Sequence, residues 1–225
     1  MTGGWVVVVP VKAAARGKSR LDVSGADRMS LARAIALDTI AAAAACTAVS
    51  RVVVVTDDGG LIMAATDMPG LRFVAETPTG EEALALAAAT GMVPDGLNAA
   101  IARGMLTAEG MPRAALLGDL PALRPDDLRV ALEAAAAVER GVVADAEGTG
   151  STLVTASPGT PWQASFGDGS FSRHLALGCV ALDVTEDSTL RRDVDTAEQL
   201  DAADALGLGP RTARLLAARA AARGR

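Results

Sequence analysis

Short apolar runs that end in turn residues recur along this chain and limit its fold more than any other feature. The clearest are Trp5–Val9, Val52–Val55 and Ala114–Leu117, which are followed within two residues by a proline, an aspartate and a glycine. A continuous apolar run between turn residues is typical of a strand buried on both faces. A helical segment such as Ser30–Val49 lies between such runs. Strands that alternate with helices predict an α/β fold around a mostly parallel sheet.

The same pattern continues to the end of the chain. Further strands are predicted at Leu71–Ala75, Val142–Asp145, Leu153–Val154 and Cys179–Val184, and a further helix at Pro125–Arg140. A segment rich in Ala, Leu and Arg predicts a C-terminal helix at about residues 207–225, which would suit packing on a second copy in a homodimer. No linker-like segment interrupts the 225 residues. We therefore expect one domain over residues 1–225.

Composition excludes several classes of function. The net charge is −6 and the body of the chain has no basic stripe, which argues against nucleic acid as a partner. No apolar run approaches the roughly 18 residues that a membrane span needs, and no signal peptide precedes the first strand. The two cysteines, Cys46 and Cys179, are far apart and lie in apolar segments. We expect a cytoplasmic protein without a membrane partner.

A basic loop follows the first predicted strand. Lys12 and Lys18 are the only lysines of a chain that otherwise uses arginine, and Arg16 and Arg20 lie in the same loop. A loop at the carboxyl end of strand one is placed to bind a nucleoside triphosphate, with each lysine acting as a mobile charge. The spacing is not that of a P-loop. The alternative is a solvated basic loop without a ligand.

Two acidic segments are candidate metal ligands. Asp119 follows the buried run at Ala114–Leu117, where open α/β sheets place their ligands. Asp193 and Asp195 precede Thr196, which with Gln199 forms a capping box at the start of a helix. Carboxylates near triphosphates hold Mg²⁺. Asp119 could instead cap a turn, and charge stabilisation of about 0.3–1 kcal/mol at the helix N-terminus would explain one of the other two aspartates.

Two segments rich in glycine and hydroxyl residues could bind anions. They are Gly148–Thr152 and Phe166–His174, and their backbone amides and hydroxyls could donate to phosphate or carboxylate oxygens. The alternative is an ordinary loop for each. His174 is the only histidine, but phosphoryl transfer depends on positioning and charge neutralisation more than on a general base. Asn98, near the start of another predicted helix, could contact a base or ribose or simply begin the helix.

In order and spacing, these segments resemble the MobA-like nucleotidyltransferases of glycosyltransferase-A type. Within that family the sequence is similar to the phosphoenolpyruvate or 2-phospho-L-lactate guanylyltransferases of coenzyme F-420 biosynthesis. The resemblance extends from Val6 to about Ala213. The segments that carry it are Val9–Lys12, Lys18–Leu21, Leu97–Ala100, Gly118–Leu123, Gly148–Gly150, Phe166–Gly167 with Ser170 and His174, Asp193–Thr196, and Gly207–Pro210.

The resemblance implies a single-domain, three-layer Rossmann-like nucleotidyltransferase that moves GMP from GTP to phosphoenolpyruvate or 2-phospho-L-lactate and releases pyrophosphate. Asp119 and Asp193 would ligate Mg²⁺, the implied cofactor. The three-carbon acid would bind Ser151, Gly167 and Ser170. The remaining roles are assigned to the basic loop and to Asn98. Lys12, Lys18 and Arg20 would be catalytic. The nucleotide would bind Pro10, Val11, Lys12, Lys18 and Asn98.

Two other functions remain open at this level. One is a transferase of the same fold that uses another nucleotide and another acceptor, such as a molybdopterin or a sugar phosphate. The other is a non-catalytic nucleotide-binding module. A transferase needs both acidic segments around one metal, whereas a binding module could lose either, and the fold alone does not separate these functions.

Overall fold

The strands of the protein form one sheet. The computed structural model describes residues 4–12, 25–77, 80 and 96–223. Its strands are β1 (Trp5–Pro10), β2 (Val49–Val55), β3 (Leu71–Val74), β4 (Arg113–Leu116), β5 (Arg140–Ala144), β6 (Ser151–Ala156) and β7 (Val180–Ala181). Its helices are α1 (Gly25–Ala45), α2 (Gly59–Ala64), α3 (Gly96–Leu106), α4 (Pro125–Ala135), α5 (Ser170–Ala176), α6 (Ala197–Leu206) and α7 (Pro210–Arg223), with a 3-10 helix at Thr189–Arg191.

The sheet is mostly parallel, as predicted. Its seven strands lie in the order β3-β2-β1-β4-β6-β5-β7. Only β6 runs against its neighbours β4 and β5, while the other pairings are parallel. The carboxyl ends of β1 and β4 therefore lie side by side at one edge of the sheet. This arrangement brings the segment after Pro10 close to the segment that contains Asp119.

Helices cover both faces of the sheet, which confirms the three-layer architecture. Successive side chains of a strand point to opposite faces. Val7 and Val9 pack with the cluster that contains α1 and α4, while Val6 and Val8 pack with Ile101 of α3. All four valines of β1 are completely buried. The continuous apolar run that predicted this strand thus reflects burial on both faces.

Some predicted elements are shorter in the structure. The strand predicted at Cys179–Val184 is reduced to β7, because it lies at the edge of the sheet where Val180 is 50% exposed. The helix predicted to reach Arg140 ends at Ala135, and Arg140 begins β5 instead. The alanine-rich end of this helix contains no glycine, which is the residue that commonly marks a helix C-terminus in a sequence. No helix among the described residues is both long enough and apolar enough to cross a membrane.

The C-terminal helix α7 docks on α1 of the same chain. The buried carboxylate of Asp38 in α1 accepts hydrogen bonds from the backbone N–H groups of Arg211 (3.2 Å) and Thr212 (2.8 Å). This bond pattern caps the start of α7 with a side chain from another helix. The N–H of Gly209 also donates to the carbonyl of Pro121 (2.7 Å). Packing of α7 on a second copy of the chain stays a prediction.

Gly104 of α3 lies so close to the sheet that Gly104→Ala is expected to destabilise the fold. A Cβ there would overlap Cγ1 of Val8 and lie 2.9 Å from Cγ2 of Val55. Overpacking of this kind destabilises by about 1–3 kcal/mol, which exceeds the gain of up to about 1 kcal/mol in helix propensity. Urea denaturation measures the difference.

The matched control is Gly59→Ala in α2, where an added Cβ would meet no atom within 4 Å. We expect this variant to equal or slightly exceed the wild type in stability. A Gly104→Ala protein as stable as the Gly59→Ala protein would contradict the proposed close packing of α3 on β1 and β2.

Candidate active site

A pocket of about 470 Å³ opens at the carboxyl ends of β1 and β4. Its walls are formed by the ends of these strands, by α1, and by segments around residues 145–151, 166–170 and 193–195. Most predicted site residues of the described chain line it: Pro10, Val11, Lys12, Asp119, Ser151, Gly167, Ser170 and Asp193. The predicted residues Lys18 and Arg20 lie outside the described residues.

The fold brings the two acidic segments together. A Cβ at Gly118 would lie 3.1 Å from the carbonyl oxygen of Pro10, so a glycine lets the chain pass close to β1 just before Asp119. The backbone carbonyl of Asp119 then accepts a hydrogen bond from the N–H of Val194 (3.0 Å). Asp193, the residue before Val194, is thereby held next to Asp119. Residues 74 positions apart in the sequence share one wall of the pocket.

The carboxyl group of Asp193 is held in an unfavourable environment. Burial, followed by the charges of Asp119, Asp145 and Glu147, raises its pKa to about 7. Its Oδ1 atom is buried and has no hydrogen-bond partner among the described residues. A buried, repelled carboxylate oxygen without a donor is a suitable ligand for a hard cation such as Mg²⁺. The residues present thus fit a metal ion at this position.

Asp145 and Glu147 add two carboxylates that the sequence analysis did not select. Oxygens of Asp145, Glu147 and Asp193 lie within 4.8 Å of one another and could hold a metal ion. Asp145 also has a structural role, because its two oxygens accept hydrogen bonds from the N–H groups of Thr149 (2.9 Å) and Gly150 (2.7 Å). Asp145 was predicted as the last residue of the strand Val142–Asp145, and its position at a strand end is the signal that could have identified it.

The two segments rich in glycine and hydroxyl residues form adjoining walls. The N–H of Phe171 donates to the carbonyl of Thr149 (3.1 Å), which links one segment to the other. Ser151 and Ser170 are almost completely buried at the base of the pocket. Gly167, which lines the pocket, has φ of +123°, a conformation that residues with a side chain rarely adopt. This side of the pocket offers the hydroxyls of Ser151 and Ser170 and the backbone around Gly167 to an anion, whereas the N–H groups of Thr149 and Gly150 are bonded to Asp145.

The basic residues of the described pocket are Lys12 and Arg33. Lys12 is exposed and lies at the end of β1. Arg33, on α1, forms an ion pair of 3.0 Å with Asp58, which also caps α2. Arg33 was not predicted as a site residue, because the helix was predicted from its apolar positions alone. Its guanidinium charge is largely offset by Asp58.

Asn98 contacts the pocket through a loop. Its amide nitrogen donates to the carbonyl of Phe166 (3.1 Å), and its amide oxygen accepts from the N–H of Phe166 (2.8 Å). Both side-chain groups therefore bind the backbone next to Gly167. Direct contact between Asn98 and a nucleotide stays a prediction, whereas its support of this loop is a property of the structure.

The only histidine is buried behind the pocket. His174 is completely buried, and its pKa is lowered to about 4, first by burial and second by the charge of Arg173. Both ring nitrogens have partners: Nδ1 lies 2.9 Å from Oγ of Ser151, and Nε2 accepts the N–H of Ser165 (2.9 Å). The imidazole is therefore neutral at pH 7 and is not placed as a solvent-exposed general base.

Similar solved structures define the fold as that of a nucleotidyltransferase. A nucleotidyl transferase from Methanothermobacter thermautotroptrophicus covers 90% of this chain and 97% of its own, with a TM-score of 0.60 at 20% identity. A 4-diphosphocytidyl-2C-methyl-D-erythritol synthase covers 90% of this chain and 98% of its own, with a TM-score of 0.51 at 12% identity. At these identities the likeness concerns the fold. An acidic centre at the carboxyl ends of its strands suits such a fold.

The sequence then gives the family. Residues 5–204 match the family described as "Guanylyl transferase CofC like", and the chain belongs to it. A protein of Streptomyces scabiei named phosphoenolpyruvate guanylyltransferase is 48% identical over 217 residues, which cover 93% of this chain and 94% of that protein. A protein of the same name from Salinispora arenicola is 43% identical over 229 residues, covering 100% of this chain and 99% of its own.

Asp193→Asn is expected to stabilise the protein in the absence of metal. The raised pKa means that the charged form opposes folding, so this penalty is fully present above about pH 7 and disappears as the pH falls below about 4. We expect a gain of about 1–3 kcal/mol at pH 8 and little gain at pH 4. Denaturation in EDTA at both pH values measures it.

The same variant should lose stabilisation by Mg²⁺, since a cation that binds only the folded state raises its stability. Asp168→Asn is the control, because Asp168 is an exposed pocket carboxylate that is not among the charges acting on Asp193. It should behave as the wild type in both measurements. An Asp193→Asn protein that is less stable than the wild type in EDTA at pH 8 would contradict the expectation that the charged carboxylate of Asp193 destabilises the fold.

Proposed function

We propose that the protein transfers GMP from GTP to phosphoenolpyruvate and releases pyrophosphate. The observation that carries this proposal is the meeting of the acidic pair Asp119 and Asp193 with the hydroxyl and amide cradle around Ser151, Gly167 and Ser170 in one pocket. A nucleotide and a small phosphorylated acid both have groups to bind there. The names of the relatives from Streptomyces scabiei and Salinispora arenicola support phosphoenolpyruvate as the acceptor.

The pocket has a side for each substrate. Pro10, Val11 and Lys12 at the end of β1 form the proposed nucleotide side, to which the lysine and arginine of the loop, Lys18 and Arg20, would add charge. Ser151, Gly167 and Ser170 form the proposed acceptor side. Phosphoenolpyruvate carries a phosphate and a carboxylate, which hydroxyls and backbone amides can bind without a lysine. The two anions would meet beside the carboxylates.

Mg²⁺ would be held by Asp119 and Asp193, whose environment fits a cation. When bound there, it would orient phosphate oxygens and offset their negative charge. Asp145 and Glu147 lie close enough to join the ligand set or to bind water around it. The chain itself contributes the fixed spacing of these carboxylates through the Val194 to Asp119 hydrogen bond.

The proposed reaction is a single in-line displacement. A phosphate oxygen of phosphoenolpyruvate forms a bond to the α-phosphorus of GTP, while the bond from that phosphorus to the bridging oxygen of the β-phosphate breaks. The electron pair leaves with pyrophosphate, and no proton must be removed from an ionised phosphate. Catalysis then rests on positioning and charge neutralisation, which agrees with the burial of the only histidine of the chain, His174.

Pyrophosphate release in the presence of GTP, Mg²⁺ and one acid at a time tests the function. The acids are phosphoenolpyruvate, 2-phospho-L-lactate and 3-phosphoglycerate, with ATP, CTP and UTP replacing GTP in parallel. We expect the highest kcat/KM with GTP and phosphoenolpyruvate and a product with two linked phosphates in the ³¹P NMR spectrum. GTP binding without turnover of any acid would favour a non-catalytic module, and faster turnover of another nucleotide would refute the guanylyltransferase.

Ser170→Val is expected to raise the KM for phosphoenolpyruvate by at least about tenfold and to leave the KM for GTP within about twofold. Ser170 is 2% exposed at the base of the acceptor side, so the branched side chain would remove a hydroxyl donor and occupy its space. Loss of one hydrogen bond to a charged group corresponds to about 1.5–3 kcal/mol, or at least about tenfold in binding. Steady-state kinetics with each substrate varied measures both constants.

Ser172→Val is the matched control, because Ser172 lies on the same helix but is exposed. Both KM values of this variant should stay near those of the wild type. Equal increases in the two KM values of Ser170→Val would place Ser170 in the nucleotide site or the scaffold and would contradict the separate acceptor side.

A further inference from the structure

Building on the proposed function, we infer that His174 is a positioning residue for the acceptor. Its neutral imidazole turns the hydroxyl hydrogen of Ser151 toward the pocket and, at the same time, fixes the strap of residues Ser165–Ser170. His174 does not line the pocket, so it would act entirely through Ser151 and the strap.

The hydrogen bonds of His174 determine where its proton lies. The N–H of Ser165 can only donate, so Nε2, at 2.9 Å, must accept and carries no proton. A neutral imidazole then carries its proton on Nδ1, and this N–H donates to Oγ of Ser151 at 2.9 Å. The backbone of Ser165 thus selects the Nδ1–H tautomer. The opposite tautomer would place two donors against each other.

The tautomer in turn orients Ser151. Its hydroxyl oxygen accepts from His174, so its own hydrogen must point to another acceptor. Ser151 is 3% exposed and lines the pocket at the acceptor side, where a phosphate or carboxylate oxygen would be that acceptor. If Nδ1 instead accepted from Ser151, the hydroxyl would present a lone pair to an anion. The tautomer therefore decides whether this site attracts or repels the acceptor.

His174 also connects Ser151 to the strap. Asn98 holds the backbone of Phe166, and Arg173 donates to the carbonyl of Ser165 (Nη2 3.1 Å) and to that of Asp168. The ring of Phe166 contacts the imidazole edge to face, with centroids 4.9 Å apart. Among these described contacts, only those of His174 reach both the strap and Ser151. Its loss should disturb both parts of the acceptor side together.

The tautomer can be tested on the wild-type protein, because His174 is the only histidine. A ¹H–¹⁵N correlation spectrum of the imidazole, recorded at pH 7 on protein without a histidine tag, will show one ring. We expect a protonated Nδ1 and an unprotonated Nε2. In Ser151→Ala the Nδ1 resonance should shift while the Nε2 resonance changes little. An Nε2–H tautomer or an imidazolium in the wild type would overturn the inference, whatever reaction the protein catalyses.

Kinetics of three variants test the consequence for the acceptor. His174→Leu removes both hydrogen bonds and should raise the KM for phosphoenolpyruvate about tenfold, with the KM for GTP within about twofold. His174→Asn keeps an N–H near the position of Nδ1 and should recover part of this loss. In the double variant Ser151→Ala/His174→Leu, the total increase in the KM for phosphoenolpyruvate should be smaller than the product of the two single increases. Both changes remove the same interaction, so their effects should not multiply.

Multiplicative effects in the double variant, or equal effects of His174→Leu on both KM values, would overturn the role through Ser151. Thermal denaturation of each variant shows whether it is folded at the assay temperature. A wild type that has the expected tautomer but no activity with GTP and phosphoenolpyruvate would refute the proposed function and leave the tautomer assignment standing. The spectrum thus tests the tautomer of His174, and the kinetics test its effect on the acceptor.

Discussion

The pocket depends on keeping negative charges together that would otherwise separate. Burial, and after it the charges of Asp119, Asp145 and Glu147, raise the pKa of Asp193 to about 7. Backbone contacts oppose this repulsion: Val194 donates to the carbonyl of Asp119, and other atoms of the same region bind the Asp145 backbone. Arg191, at the end of the 3-10 helix, donates to the backbone carbonyl of Asp145 through Nε (3.2 Å) and Nη2 (2.9 Å). A bound cation would relieve this repulsion.

The rest of the fold makes those backbone contacts rigid. The loop after Asp119 is anchored on α1, where the hydroxyl of Thr39 accepts the N–H of Leu120 (3.0 Å). The same loop accepts the N–H of Gly209 at Pro121, and α7 is capped by Asp38 of α1. The C-terminal helix therefore supports the acidic centre through α1 although it contributes no side chain to the pocket wall. Precise spacing of charged groups requires this kind of support.

Much of this arrangement could be predicted from the sequence, for identifiable reasons. Buried parallel strands such as β1 are continuous apolar runs, and the rule that ligands bind at their carboxyl ends placed Asp119 correctly beside the pocket. The proximity of Asp119 to Asp193 depends on strand order, which periodicity does not encode. Asp145 was missed because its side chain also completes a turn, and Arg33 because a helix face was assigned from apolar residues alone. The role of Asn98 in holding Phe166 depends on a contact over 68 positions.

The balance of charge in the pocket implies that the proposed acceptor side would bind an anion without cations of its own. Among the described pocket residues, the basic side chains are Lys12 and Arg33, and Arg33 is paired with Asp58. Two anionic substrates beside the carboxylates of the pocket would be repelled unless a metal ion and oriented dipoles offset their charge. On the acceptor side those dipoles are N–H and O–H groups, whose direction matters as much as their number. A buried neutral histidine is suited to fix such a direction, because a charged imidazole would lose the hydrogen bond from Ser165 that selects its tautomer.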